Sequence, residues 1–99
     1  MTIDEKKNDD LVILSVHGRV EAINSEEFQN TILKAFQGNK NVVLDMSDVP
    51  YISSAGLRAL LIGNKTASSK GGKLIISSAS AAVKEMIRVT GFDRIFEIQ

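Results

Sequence analysis

The chain has 99 residues with equal numbers of acidic and basic side chains, 12 of each; 43% of its residues are hydrophobic and 24% charged. That is a soluble-globular balance for one domain over residues 1–99, and zero net charge without a basic cluster argues against nucleic-acid binding. Having no cysteine and a single histidine, His17, the chain has no disulfides or thiol chemistry and too few nitrogen and sulfur ligands for a structural metal centre, so no metal or other cofactor is expected.

The N-terminal stretch MTIDEKKNDD lacks the apolar run of a signal peptide. No later run approaches the roughly 20 apolar residues that span a bilayer. The expectation is a cytoplasmic protein that does not insert into membrane. Residues 2–8, TIDEKKN, are compatible with an edge strand, and Asn8-Asp9-Asp10 is turn chemistry. LVILSV, Leu11 to Val16, is nearly all apolar and reads as a strand buried on both faces, ended by Gly18. Asn24 with Glu27 three residues later reads as a capping box. Phe28, Ile32, Ala35 and Phe36 then form the apolar stripe of an amphipathic helix, and Gly38 suits its exit.

NVVLDM, Asn41 to Met46, reads as a second buried strand, followed by a loop over Ser47-Asp48-Val49-Pro50. A longer helix starts near Ser53, turns Leu57, Leu60 and Leu61 inward and dissolves into SSKGG. KLIIS, Lys73 to Ser77, is a third buried strand. Ser80 caps a final helix with Val83, Met86 and Ile87 inward, ended by Gly91 with Phe92 folding back. RIFEI closes the chain as a short strand or a docked tail. Apolar strands alternating with amphipathic helices define an α/β domain with a largely parallel central sheet.

The segment YISSAGLRALL, Tyr51 to Leu61, places two serines where one hydroxyl suffices to cap a helix. With Ser53 as N-cap, Ile52 and Leu57 occupy the two positions of a hydrophobic staple; with Ser54 as cap the pair would be Ser53 and Arg58, which cannot staple. Ser53 is therefore the cap and Ser54 stands at the first helical position, where the helix does not need its hydroxyl. Gly56 at the third position costs about 0.5–1 kcal/mol relative to alanine, so something approaches the backbone there. A phosphate on Ser54 would add about −1.5 to −2 charges at a helix end that tolerates them. Spacing alone does not choose between that use and plain capping by both serines.

VVLDMSDVPYISSAGLRALL resembles the signature of the STAS domain family, in particular bacterial anti-sigma factor antagonists. Asp45-Met46-Ser47, Tyr51-Ile52 and Ser53-Ser54-Ala55-Gly56-Leu57 match it in order, HGRVEAINSEEF is similar to the family's Gly-x-Leu/Val-Asp-Ala segment, and VTGFDRIFEI to its closing segment. The resemblance implies a mixed, mostly parallel sheet of four or five strands with helices mainly on one side. It implies a protein that binds an anti-sigma factor serine kinase and so releases a sigma factor. Phosphorylation of the antagonist weakens that complex, and a serine phosphatase reverses it. Carried over by position, the phosphoacceptor is Ser54, with Ser53 a secondary candidate because it replaces the family's aspartate. The partner surface implied is Gly18, Arg19, Glu21, Ser53, Ser54, Gly56 and Leu57, with Glu21 one methylene longer than the usual aspartate.

An alternative within the resemblance is an interaction subunit of a transporter or stress-signalling assembly that is never phosphorylated. Catalysis is the weaker reading. A serine nucleophile needs a base in reach, His17 reads as structural or solvated, and neither a Gly-x-Ser-x-Gly elbow nor a phosphate-binding loop is present. Asp45, Asp48 and Glu21 read as turn and partner-contact residues rather than a catalytic carboxylate cluster.

Overall fold

The computed structural model describes all 99 residues. Strand β1 (Thr2–Asn8) turns at Asp9-Asp10 into β2 (Leu11–His17); α1 (Ser25–Ala35), β3 (Asn41–Asp48), α2 (Ser54–Ser69), β4 (Lys73–Ser77), α3 (Ala81–Val89) and β5 (Glu97–Ile98) come after it in that order. Short 3₁₀ turns occupy Ala22–Asn24 and Phe92–Arg94. The sheet order β1-β2-β3-β4-β5 is the chain order, antiparallel between β1 and β2 and parallel elsewhere. Each β-α-β connection therefore advances in the same direction, and right-handed crossovers then put their helices on one face of the sheet.

Burial follows from that one-sidedness. The registers align Val12–Val42–Leu74 and Leu14–Leu44–Ile76 into two buried rows across three strands. Phe28, Ile32 and Ala35 of α1, Leu57 and Leu60 of α2, and Val83 and Ile87 of α3 join them in a single cluster. The opposite face carries Ile13, Val43 and Ile75 in one row, half-exposed, with no helix over them. The expectation of strands buried on both faces is thus corrected: β2 and β3 alternate strictly between buried and half-exposed positions up to Met46, and an apolar run on an uncovered face made them look two-sided.

Other local readings also shift. Helix α1 is not capped by the Asn24 side chain. A 3₁₀ turn precedes it, and the Asn24 amide turns back instead, its Oδ1 accepting from Glu21 N–H at 2.8 Å and its Nδ2 donating to the Arg19 carbonyl at 3.1 Å. Strand β3 runs on to Asp48, past the loop expected from Ser47. Helix α2 continues through Ser68 and Ser69. Met86 and Leu61 are only partly buried, at the margin of the core. Ser80 does cap α3, accepting from Val83 N–H at 3.2 Å. The tail becomes the two-residue strand β5, anchored by Phe96, which meets Phe92 edge-to-face at 5.9 Å.

Candidate functional site

At the C-terminal ends of β2 and β3 two loops are joined by backbone hydrogen bonds. Gly18 N–H donates to Asp48 O (2.9 Å), Val20 N–H to Tyr51 O (2.9 Å) and Ser53 N–H to Val20 O (2.8 Å), and Val20 and Ile52 form an isolated parallel bridge. Gly18 enters this arrangement at φ +100°, a conformation that favours glycine. The ladder delivers the chain to the start of α2. There Ser53, extended at φ −80° and ψ 170°, accepts from Gly56 N–H at 3.1 Å and is only 9% exposed. Ser54 begins the helix with its side chain in solvent. The division of labour between the two serines follows from this geometry: a buried, engaged hydroxyl beside an exposed, uncommitted one.

Gly56 is where backbone and core meet. A Cβ there would lie 2.7 Å from Ile52 Cγ1 and 2.8 Å from Val20 Cγ1, so the missing side chain lets the β2–α1 loop close onto α2. Gly56 is buried and Leu57 is 4% exposed. Of the residues assigned to a partner surface, these two and Ser53 form its floor rather than its face. Arg19, Glu21 and Ser54 face outward, with Gly18 half-buried between them. Arg19 Nε donates to Glu21 Oε1 at 3.0 Å, and its guanidinium lies 4.4 Å from the centre of the Tyr51 ring. That stacking aligns the loop with the residue that leads into Ser53.

Ser54 also stands at the rim of two shallow recesses of about 220 and 280 Å³ between α2 and the end of α3. Arg58, Leu61 and Phe92 line the first; Tyr51, Met86 and Val89 line the second, and Leu57 and Thr90 line both. The α3 side of this surface was not found from sequence. Val89, 70% exposed, is the signal that was available: an apolar residue off the Val83–Ile87 stripe of its own helix. Ile23, 91% exposed in the turn after Glu21, is a second. His17, expected to be structural or solvated, is engaged by two carboxylates on the open sheet face, away from the core.

An exposed serine on a helix end, framed by two zipped loops at the C-terminal edge of a mixed sheet, describes a small docking domain. Residues 2–99 match the STAS domain family, and the chain belongs to that family, among its non-enzymatic anti-sigma factor antagonists. It is similar to BtrV of Bordetella bronchiseptica, a candidate anti-sigma factor antagonist, at 31% identity over 99% of this chain and 85% of BtrV. A solved candidate antagonist from Thermotoga maritima superposes with a TM-score of 0.90 at 30% identity, covering 97% of this chain and 84% of that one. The anti-sigma factor antagonist SpoIIAA in its unphosphorylated form shares the fold at a TM-score of 0.84 and 15% identity, over 99% of this chain and 88% of its own. SpoIIAA has also been solved in a phosphorylated form. No helix is long and apolar enough to cross a membrane.

Proposed function

We propose that this protein is a cytoplasmic anti-sigma factor antagonist whose docking is switched at Ser54. Unmodified, it binds an anti-sigma factor that is a serine kinase and so releases a sigma factor. Phosphorylated on Ser54 it lets go, and a serine phosphatase restores it. The observation that carries this reading is the contrast at the start of α2: Ser53 is buried and committed to Gly56 N–H, whereas Ser54 is exposed and free of the helix's needs. A phosphate on Ser54 leaves the cap intact and meets the positive end of the helix dipole, so the fold tolerates it. Arg58, one turn on and lining the same recess, supplies a cation at the spacing that favours an acid preceding a base. The docking face, in contrast, changes from neutral hydroxyl to dianion beside Leu57, Val89 and Phe92. Burying that charge against an unprepared partner is costly.

Incubation with the cognate kinase and ATP, followed by intact-mass measurement, is expected to add one phosphate to the wild type and to Ser53→Ala, and none to Ser54→Ala. Ser54→Asp is expected to bind the kinase more weakly. Labelling that persists in Ser54→Ala would overturn the site. A kinase complex indifferent to Ser54→Asp would favour the interaction-subunit alternative.

A further inference from the structure

His17 is the last residue of β2 and sits on the open face of the sheet, its side chain 40% exposed. Its two ring nitrogens face different carboxylates. Nδ1 lies 2.8 Å from Asp48 Oδ2, at the end of β3, and Nε2 lies 3.1 Å from Asp4 Oδ2 on β1. A neutral imidazole has one N–H and can donate to only one of them; both bonds exist together only in the imidazolium. Three strands are thus fastened through one ring, and the fastening depends on a proton.

This ring stands at the foot of the hydrogen-bonded ladder that leads to α2. Gly18, its neighbour in the chain, donates to the carbonyl of Asp48 itself, and the ladder then continues through Val20 and Tyr51 to Ser53, the cap of α2. A one-residue register shift in β3 between the partners of Ser15 and His17 brings Asp48 into reach. We propose that His17, Asp4 and Asp48 form a proton-operated latch at the base of this ladder, closed with the imidazolium and released when it loses its proton. Release leaves one carboxylate without a donor and removes the charge that offsets Asp4 and Asp48. It loosens the first residues of β1 and the ladder that presents Ser54.

The surroundings favour the closed state. The hydrogen bond to Asp48 is the main influence holding the His17 pKa above its ordinary 6.5; burial opposes it, and the bond to Asp4 adds to it. Asp45, on the same face of β3, adds negative charge nearby and is itself kept ionised by Ser47 N–H and by His17. Of the other charged groups of the neighbourhood, Lys6 is opposite Ile13 and Arg19 pairs with Glu21, while the Met1 amino nitrogen lies close by, beside Gly18. No helix covers this face, so solvent protons reach the ring directly.

Because His17 is the sole histidine, NMR titration of its ring protons reports on the latch without ambiguity. The expected pKa is higher in the folded protein than in the same chain unfolded in urea. It falls in Asp48→Asn and, by less, in Asp4→Asn. Amide exchange at Gly18, Val20 and Ser53, corrected for its intrinsic pH dependence and referenced to Leu74 and Ile76, is expected to accelerate above that pKa in the wild type. In His17→Gln it should be pH-independent. A folded pKa equal to or below the urea value, or ladder exchange that ignores His17 ionisation, overturns the proposal.

Discussion

Ser53 and Ser54 are adjacent, yet one residue's difference in position separates a structural hydroxyl from an available one. Ser53→Ala removes a cap whose oxygen is the acceptor for Gly56 N–H, and is expected to lower stability by about 1 kcal/mol in urea unfolding. Gly56→Ala tests the neighbouring contact. Helix propensity predicts a gain of roughly 0.5–1 kcal/mol from such a change. The 2.7 and 2.8 Å approaches to Ile52 and Val20 predict a net loss instead, typically about 1–3 kcal/mol for overpacking. A stabilised Gly56→Ala variant in urea unfolding would refute the close approach. At Arg58 the expectation concerns the phosphorylated protein: a guanidinium one turn from the phosphate favours its dianion. Arg58→Gln should therefore raise the second pKa of the Ser54 phosphate, read by ³¹P titration.

Among the elements, α3 has two faces with different duties. Val83 and Ile87 are fully buried, while Val89 projects beside the Ser54 recess. Ile87→Ala is expected to cost about 2–5 kcal/mol, as core truncations do. Val89→Glu should leave stability within about 0.5 kcal/mol, as exposed substitutions do, while weakening the complex with the anti-sigma factor partner in a binding titration. A Val89→Glu protein that binds normally would remove α3 from the docking face. Helix α1 shows the limit of local rules. Asn24 and Glu27 have capping-box spacing, but Asn24 serves the Arg19–Glu21 loop instead, because a side-chain amide can bond either forward to the helix or back to the chain that precedes it.

At the scale of the whole molecule, two ionisable groups on the open sheet face give stability a dependence on pH from both sides. Ser47 N–H, as donor to Asp45, holds that carboxyl below its ordinary 3.8, so its contribution is present above that pH and fades as pH falls through the folded value. His17 acts in the opposite sense. Held above 6.5 chiefly by Asp48, it contributes fully below that pH and less as pH rises through its folded value. The urea midpoint is therefore expected to decline on the alkaline side of 6.5 in the wild type. His17→Gln should flatten that shoulder and keep most of the acid limb, which rests chiefly on Ser47 N–H and only in smaller part on the His17 charge.

The alternation of strands with amphipathic helices, the cap at Ser53 with Ile52 and Leu57 buried on either side of it, and the separation of a capping serine from a spare one were legible in the sequence. All are set by residues within a few positions of one another, where helix and strand periodicities and capping geometry act. Tertiary structure decided what depends on register and direction. Chain-ordered strands with same-handed crossovers put the helices together and left Ile13, Val43 and Ile75 on an open face. Parallel pairing with a one-residue shift brought Asp48 to His17, 31 residues away in the chain. The return of the chain after α3 placed Val89, Thr90 and Phe92 beside Ser54. Those contacts arise from how whole elements stack, and no local pattern encodes them.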